Sequence, residues 1–148
     1  MSTFSPTVSW HLGREESFTP DTYSRDHEWT FEGGEVVLAS TSPMYGGSAN
    51  RVNPDEAVIA ATASCHMLTF LAIAAKQRLV VRSYIDQPEG VVEKNANGRM
   101  AITRMVLRPR VVFDGDVDAE KLRKLHDSAH RNCFVANSLL TEVTIEPQ

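Results

Sequence analysis

The stretch Asn53-Pro54-Asp55-Glu56-Ala57-Val58-Ile59-Ala60-Ala61-Thr62-Ala63-Ser64-Cys65-His66-Met67-Leu68 decides how the chain is read. Asn53 suits an N-cap and Pro54 the first helical position. Asp55 and Glu56 fall in the first turn, where free backbone N–H groups and the helix dipole favour negative charge. Glu56 also stands three residues after Asn53, the spacing of a capping box. No Asp, Glu, Lys or Arg occurs from Ala57 to Ala75. The sequence therefore predicts a helix from about Pro54 to about Arg78 with almost no face suited to water, which is buried either in protein or in a bilayer. Its Ala, Ser and Thr content, the imidazole of His66 and the polar, strand-like segments on both sides favour a buried core helix, with no membrane involvement. Near its middle sits a thiol.

On the upstream side, Thr7–Leu12 alternates polar and apolar residues and reads as a strand, as does Tyr23–Phe31. Gly33-Gly34 turns the chain into a third strand, Glu35–Ser40. Ser42–Val52 has no periodicity and delivers the chain to the helix. Downstream, Val80–Ile85 is β-branched and alternating, is interrupted by Gln87-Pro88-Glu89-Gly90, and resumes at Val91–Glu93. Asn97-Gly98 is a hairpin signal leading into one long strand, Ala101–Phe113. Leu122, Leu125 and Ala129 lie at helical spacing within Asp118–Arg131. A short helix over Asn132–Leu139 and a last strand over Glu142–Glu146 complete the order βββ-α-ββ-αα-β. That is an α+β domain spanning residues 1–148, with antiparallel sheets packed on the long central helix. One short chain has little material to cover such a helix on every side. The small residues Ala57, Ala60, Ala61, Ala63 and Ser64 favour close approach of a second helix, and the simplest partner is a second copy of the chain.

Composition narrows the function. With 148 residues, a formal charge of -4 and a pI near 5.7, the chain can bury a core but offers no basic surface for nucleic acid. Met1–Ser9 lacks the basic and apolar regions of a secretory signal, so a cytoplasmic location is expected. Cys65 and Cys133 are too few for a disulfide scaffold, which leaves buried free thiols, a redox pair or metal ligands.

A reactive Cys65 needs its thiolate stabilised, and its own helix offers no cation within two turns. Arg14, Arg25 and Arg51 are the upstream candidates, because a guanidinium stays charged and can hold several anionic groups in one plane. Asp55 and Glu56 read either as helix-start carboxylates or as groups that orient such an arginine. Asp55 lies about 15 Å from Cys65 along the helix, so contact between them would come only from an antiparallel second copy. Cys133, at the start of the short helix, can serve as a resolving thiol that attacks a sulfenic acid on Cys65. The competing constellation is zinc: His126, His130 and Cys133 are spaced i, i+4, i+7, and Cys65 or His66 would complete four ligands.

Two segments together resemble the OsmC/Ohr family. One is the Asn53-Pro54-Asp55-Glu56 start with its Ala-rich run to Ala63-Ser64-Cys65-His66; the other is Cys133 followed by Val135-Ala136-Asn137-Ser138. The element order agrees over essentially the whole chain. The resemblance implies an intertwined homodimer and thiol-dependent reduction of organic hydroperoxides. By it, Cys65 is the peroxidatic cysteine and Cys133 resolves it. Arg25, in Ser24-Arg25-Asp26, is the activating arginine, with Arg14 the weaker alternative. Asp55 falls at the family's acidic position, with Glu56 beside it. Asp55 is one methylene shorter than the usual glutamate, and Phe134 stands where the best-characterised members have proline. Met67, Leu68 and Phe70 would favour organic peroxides over hydrogen peroxide. An external dithiol would reopen the Cys65–Cys133 disulfide. No organic cofactor and no metal are implied.

Overall fold

The computed structural model describes all 148 residues. Its backbone divides into two compact units, Met1–Ala57 and Val58–Gln148.

The first unit is an antiparallel meander of β1 (Thr7–Ser9), β2 (His27–Thr30) and β3 (Val36–Ala39), with Val8 opposite Trp29 and Trp29 opposite Val37. The β2–β3 turn closes through Phe31 N–H to the Glu35 carbonyl at 2.9 Å, with Gly34 at φ +88°. Both β1 and β2 are shorter than their alternation predicts. Trp10 and Tyr23 leave the ladder to pack with Phe18, at centroid separations of 6.3 and 5.2 Å from Tyr23 to the other two. The Trp10 indole N–H donates to the Ser24 carbonyl at 2.7 Å. In the following loop Gly47 is obligatory, since a Cβ there would lie 1.8 Å from the Thr41 carbonyl oxygen.

The long helix α1 runs Pro54–Lys76. The Asn53 side chain accepts from Asp55 N–H at 2.8 Å and its carbonyl from Ala57 N–H at 2.9 Å, so Asn53 caps the helix as expected. Glu56 makes no return bond, and the capping box is only half formed. The helix ends two residues before the sequence predicts. Arg78 adopts φ +58°, and Leu79 N–H reaches back to the Ala74 carbonyl at 3.0 Å. This is a left-handed C-terminal cap with arginine in the place usually held by glycine.

In the second unit β4 (Val81–Ile85) pairs antiparallel with β7 (Arg110–Phe113). A separate sheet contains β5 (Glu89–Lys94), β6 (Met100–Leu107) and β8 (Glu142–Ile145), with β5 antiparallel and β8 parallel to β6. The interruption expected at Gln87–Gly90 separates β4 from β5, and the single long strand expected over Ala101–Phe113 is divided in two. Pro88 lacks an N–H and parts β4 from β5. Pro109, fully buried, parts β6 from β7 at a corner where Asp86 Oδ1 accepts from Arg108 N–H at 2.7 Å. Helices α2 (Ala119–Arg131) and α3 (Phe134–Asn137) follow; Asp118 caps α2 by accepting from Lys121 N–H at 2.7 Å.

The core of this unit is Phe70 and Ala74 of α1 against Leu125 and Ala129 of α2, with Tyr84 and Phe113 closing on Phe70 at centroid distances of 5.5 and 6.3 Å. By length and composition alone α1 could cross a bilayer, yet Thr62, Ala63, His66, Phe70 and Ala74 form a stripe buried within the folded chain.

Candidate active site around two cysteines

Cys65 and Cys133, sixty-eight residues apart in sequence, are neighbours in the second unit, and both are free thiols. Helix periodicity places Cys65 off the buried Thr62–His66–Phe70 stripe, so it is half-buried and lines an open pocket of about 760 Å³. Ala61, Leu68, Ala72 and Ile73 of α1 line the same pocket, and Phe134 beside Cys133 contributes from the other side. The hydroxyl of Thr69 donates to the Cys65 carbonyl at 2.8 Å, a local bond within α1.

Cys133 is fully buried at the α2–α3 junction. Its Sγ lies 3.9 Å from the Thr62 carbonyl, to which it donates, and accepts from Ala136 N–H at 3.5 Å. The sequence suggests that a helix N-terminus should ease ionisation of this thiol. Burial wins instead. Desolvation pushes Cys133 up to about 11, the neighbouring Cys65 side chain adds to the rise, and the Ala136 N–H offsets only part of it. Cys133 is therefore a protonated thiol at neutral pH.

One turn along α1 from Thr62, His66 meets His126 of α2. His66 Nε2 and His126 Nδ1 are 3.0 Å apart, and the rings stack within 8° of parallel. Both are almost completely buried, and the outer nitrogens, His66 Nδ1 and His126 Nε2, have no partner. Each is held at about 4, chiefly by desolvation; for His66 the neighbouring His126 and His130 lower it further, whereas Asp127 works against the drop at His126. A neutral pair shares one proton across the bond. This geometry replaces the zinc constellation: no three His, Cys, Asp or Glu side chains converge in a way that could hold a metal ion. The sequence marked His66 and His126 as candidate ligands. Their direct pairing was hidden, because it depends on how α2 docks against α1.

The expected arginine and carboxylates lie in the first unit. Arg25 donates from Nη1 to the Tyr23 carbonyl at 2.7 Å and from Nη2 to the Pro20 carbonyl at 2.6 Å, with its guanidinium 4.1 Å from the centre of the Tyr23 ring. Its sequence neighbour Asp26 pairs with another arginine, Arg51, at 2.9 Å and accepts from the Ser48 hydroxyl at 2.7 Å. Hydrogen bonds from Ser48 and Ser40 hold the Asp26 carboxyl below its usual range against an opposing desolvation, with a lesser contribution from the charge of Arg51. The side chains of Asp55 and Glu56 are exposed and form no ion pair, and Arg14 is likewise exposed. Of the three apolar residues expected near Cys65, Leu68 lines the pocket, whereas Phe70 belongs to the core on the opposite face and Met67 lies outside the pocket lining.

The sequence pattern of the family described as OsmC-like protein matches residues 46–148. An OsmC-like protein of unknown function from Vibrio cholerae superposes with a TM-score of 0.95 at 47% identity, covering 100% of both chains. The organic hydroperoxide resistance protein OhrB of Bacillus subtilis shares the fold, with a TM-score of 0.71 at 18% identity over 99% of this chain and 98% of that one. An organic hydroperoxide resistance protein from Elizabethkingia anophelis does so with a TM-score of 0.76 at 15% identity, over 100% and 96%. An uncharacterised protein of Bacillus subtilis is 24% identical over 127 residues, 83% of this chain and 84% of its own.

Proposed function

We propose, from a chain that belongs to the OsmC-like family, that the protein is a cytoplasmic, cysteine-based peroxidase that reduces organic hydroperoxides. The observation that carries this reading is the asymmetry of the thiol pair. Cys65 is accessible on a mostly apolar pocket, and Cys133 is buried beside it and protonated. The hydroperoxide-resistance proteins that share the fold are consistent with the same chemistry.

In this scheme the Cys65 thiolate attacks the terminal oxygen of ROOH. The O–O bond breaks, Cys65 becomes a sulfenic acid, and the alkoxide takes a proton to leave as ROH. Cys133 then attacks the Cys65 sulfur. Its thiol proton leaves with the displaced hydroxyl as water, and a Cys65–Cys133 disulfide forms. An external dithiol restores both thiols by exchange. A resolving thiol that stays protonated until the sulfenic acid appears would not compete for peroxide.

Arg25 is the cation assigned to Cys65 in this scheme, with Arg14 the alternative, and Asp55 or Glu56 is its orienting carboxylate. A homodimer would bring such groups to the thiol from a second copy. The open apolar stripe of α1, with Leu68 61% exposed, suits that assembly.

The test is intact mass and free-thiol count after reduced protein meets one equivalent of cumene hydroperoxide. Wild type is expected to lose two thiols and two hydrogens rapidly. Cys133→Ser is expected to stop at a sulfenic or over-oxidised Cys65, and Cys65→Ser to stay unreacted. Survival of both wild-type thiols in a large excess of hydroperoxide overturns the assignment.

A further inference from the structure

The thiol scheme makes no use of the buried imidazoles, yet they share a strip of α2 with one of the thiols. His126, Ala129 and Cys133 follow one another at spacings of three and four residues, so they lie along one side of α2 and its extension, and all three are buried. Beyond Ala129 the only buried residue of the chain is Cys133; Phe134 beside it is exposed, and Val135 and Ala136 are half-buried. The end of α2, with α3 after it, is therefore held on α1 by His126 against His66, by Ala129 in the core, and by Cys133 against Thr62.

Of these three holds, only the imidazole contact can gain a charge in acid. Across the 3.0 Å between His66 Nε2 and His126 Nδ1 one nitrogen donates and the other accepts. With both rings protonated, N–H would face N–H. No anion packed against the pair is free to match that charge. α1 carries no Asp, Glu, Lys or Arg from Ala57 to Ala75, and its nearest titratable group is Cys65. β7 contributes Val111 and Phe113, and β4 contributes Val81 and Tyr84. The Tyr84 hydroxyl is buried without a partner, and burial, reinforced by Asp86, keeps it protonated. The Asp86 carboxyl is itself pushed up by burial. On α2, His130 opposes a charge on His66, and its own Nδ1 is buried without a partner. Asp127 favours a charge on His126 but is exposed and engaged by Arg123 at 3.0 Å.

We propose that His66 and His126 form an acid-released latch. Neutral, the pair holds the end of α2 on α1 and keeps Cys133 covered; protonated, the rings part, and the segment from His126 to α3 swings away and exposes Cys133. The Leu122 and Leu125 contacts before it and the backbone ladder of β8 with β6 after it gain no charge, so they stay in place and bound the motion. The closed rings titrate near 4, and rings released into water near 6.5. Between those values the open form takes up protons that the closed form refuses, so each ring favours opening by up to about tenfold per pH unit as the pH falls. Above 6.5 the latch is shut, and below 4 it gains nothing further. The device involves no peroxide step, so it stands or falls separately from the proposed activity.

The test reads Cys133 alone, in full-length Cys65→Ser, as its rate of reaction with 4,4′-dithiodipyridine divided by that of glutathione at the same pH. The ratio is expected to rise at least about tenfold from pH 7 to pH 5. It should depend only weakly on urea below the unfolding transition, as a local opening does. In the same background, His66→Gln keeps a hydrogen-bonding partner for His126 and removes one titrating ring, and is expected to halve the rise on a logarithmic scale. His66→Leu/His126→Leu is expected to abolish it. A ratio that does not change with pH, or a rise kept in full by His66→Gln, overturns the proposal. So does a urea slope equal to that of global unfolding, which would mean that Cys133 is reached only when the whole unit unfolds. If a histidine variant fails to fold, the pH and urea slopes of Cys65→Ser still decide.

Discussion

One helix shows two apolar faces with opposite fates. Along α1, Thr62, His66, Phe70 and Ala74 recur every fourth residue and are buried against α2 and the β4–β7 sheet. Ala61, Cys65, Leu68 and Ala72, one or two positions aside, face an open pocket. The open stripe is the more apolar of the two, with no Thr or His in it; what decides their fates is whether the rest of the unit supplies a surface to meet them. The first face holds the unit together. On the function proposed above, the second is left for a reactive thiol, its substrate and a second copy.

The contrast breaks hardest at Phe70. Replacing this fully buried ring by alanine opens a cavity beside Leu125 and Ala129 and is expected to cost about 3–5 kcal/mol in urea denaturation. Next is His126→Leu, which strips His66 of its one hydrogen-bond partner and is expected to cost about 1–3 kcal/mol, the penalty of an orphaned buried polar group. The double variant His66→Leu/His126→Leu should cost less than the single one, since no polar atom is then stranded. A double variant worse than His126→Leu would mean that packing of the rings, rather than their bond, sets the stability.

The same pair makes the buried face acid-sensitive. Both imidazoles titrate near 4 in the folded chain against about 6.5 when unfolded. Above pH 6.5 both states are neutral here and the stability is fully present. As the pH falls from about 6.5 towards 4, the unfolded chain takes up protons that the native chain refuses, and stability declines by a few kcal/mol. Urea midpoints at pH 7, 5.5 and 4.5 should show this fall, and His66→Leu/His126→Leu should flatten it. The smallest effect is Leu68→Ala on the open face, expected to change the stability of the isolated chain by under about 0.5 kcal/mol. If α1 pairs with a second copy, the same change should instead weaken dimerisation in sedimentation equilibrium. A large loss of chain stability would show that Leu68 is already packed.

Much of the fold is legible because its signals are local. Asn53-Pro54 starts a helix by capping, Asn97-Gly98 turns a hairpin, and the Leu122–Leu125–Ala129 spacing makes α2 amphipathic. The interruption around Pro88 was legible, whereas the strand division at Pro109 was not, since a lone proline can sit at the edge of one strand or end it until the neighbouring ladder is known. For the site, Cys65 and Cys133 were marked by the segments around them, whereas the high titration point of Cys133 was not. Its helix-start position argues for easier ionisation, and only the packing against Thr62 reverses that.

The sequence by itself determined the α+β class, the place of the long helix and the two thiols worth testing, because capping, periodicity and turn chemistry act over a few residues. Only the tertiary structure decided which face of α1 is core, that His66 meets His126, and that Asp26 pairs with Arg51. Those outcomes rest on desolvation and on side chains brought together from distant segments, quantities that no local pattern carries.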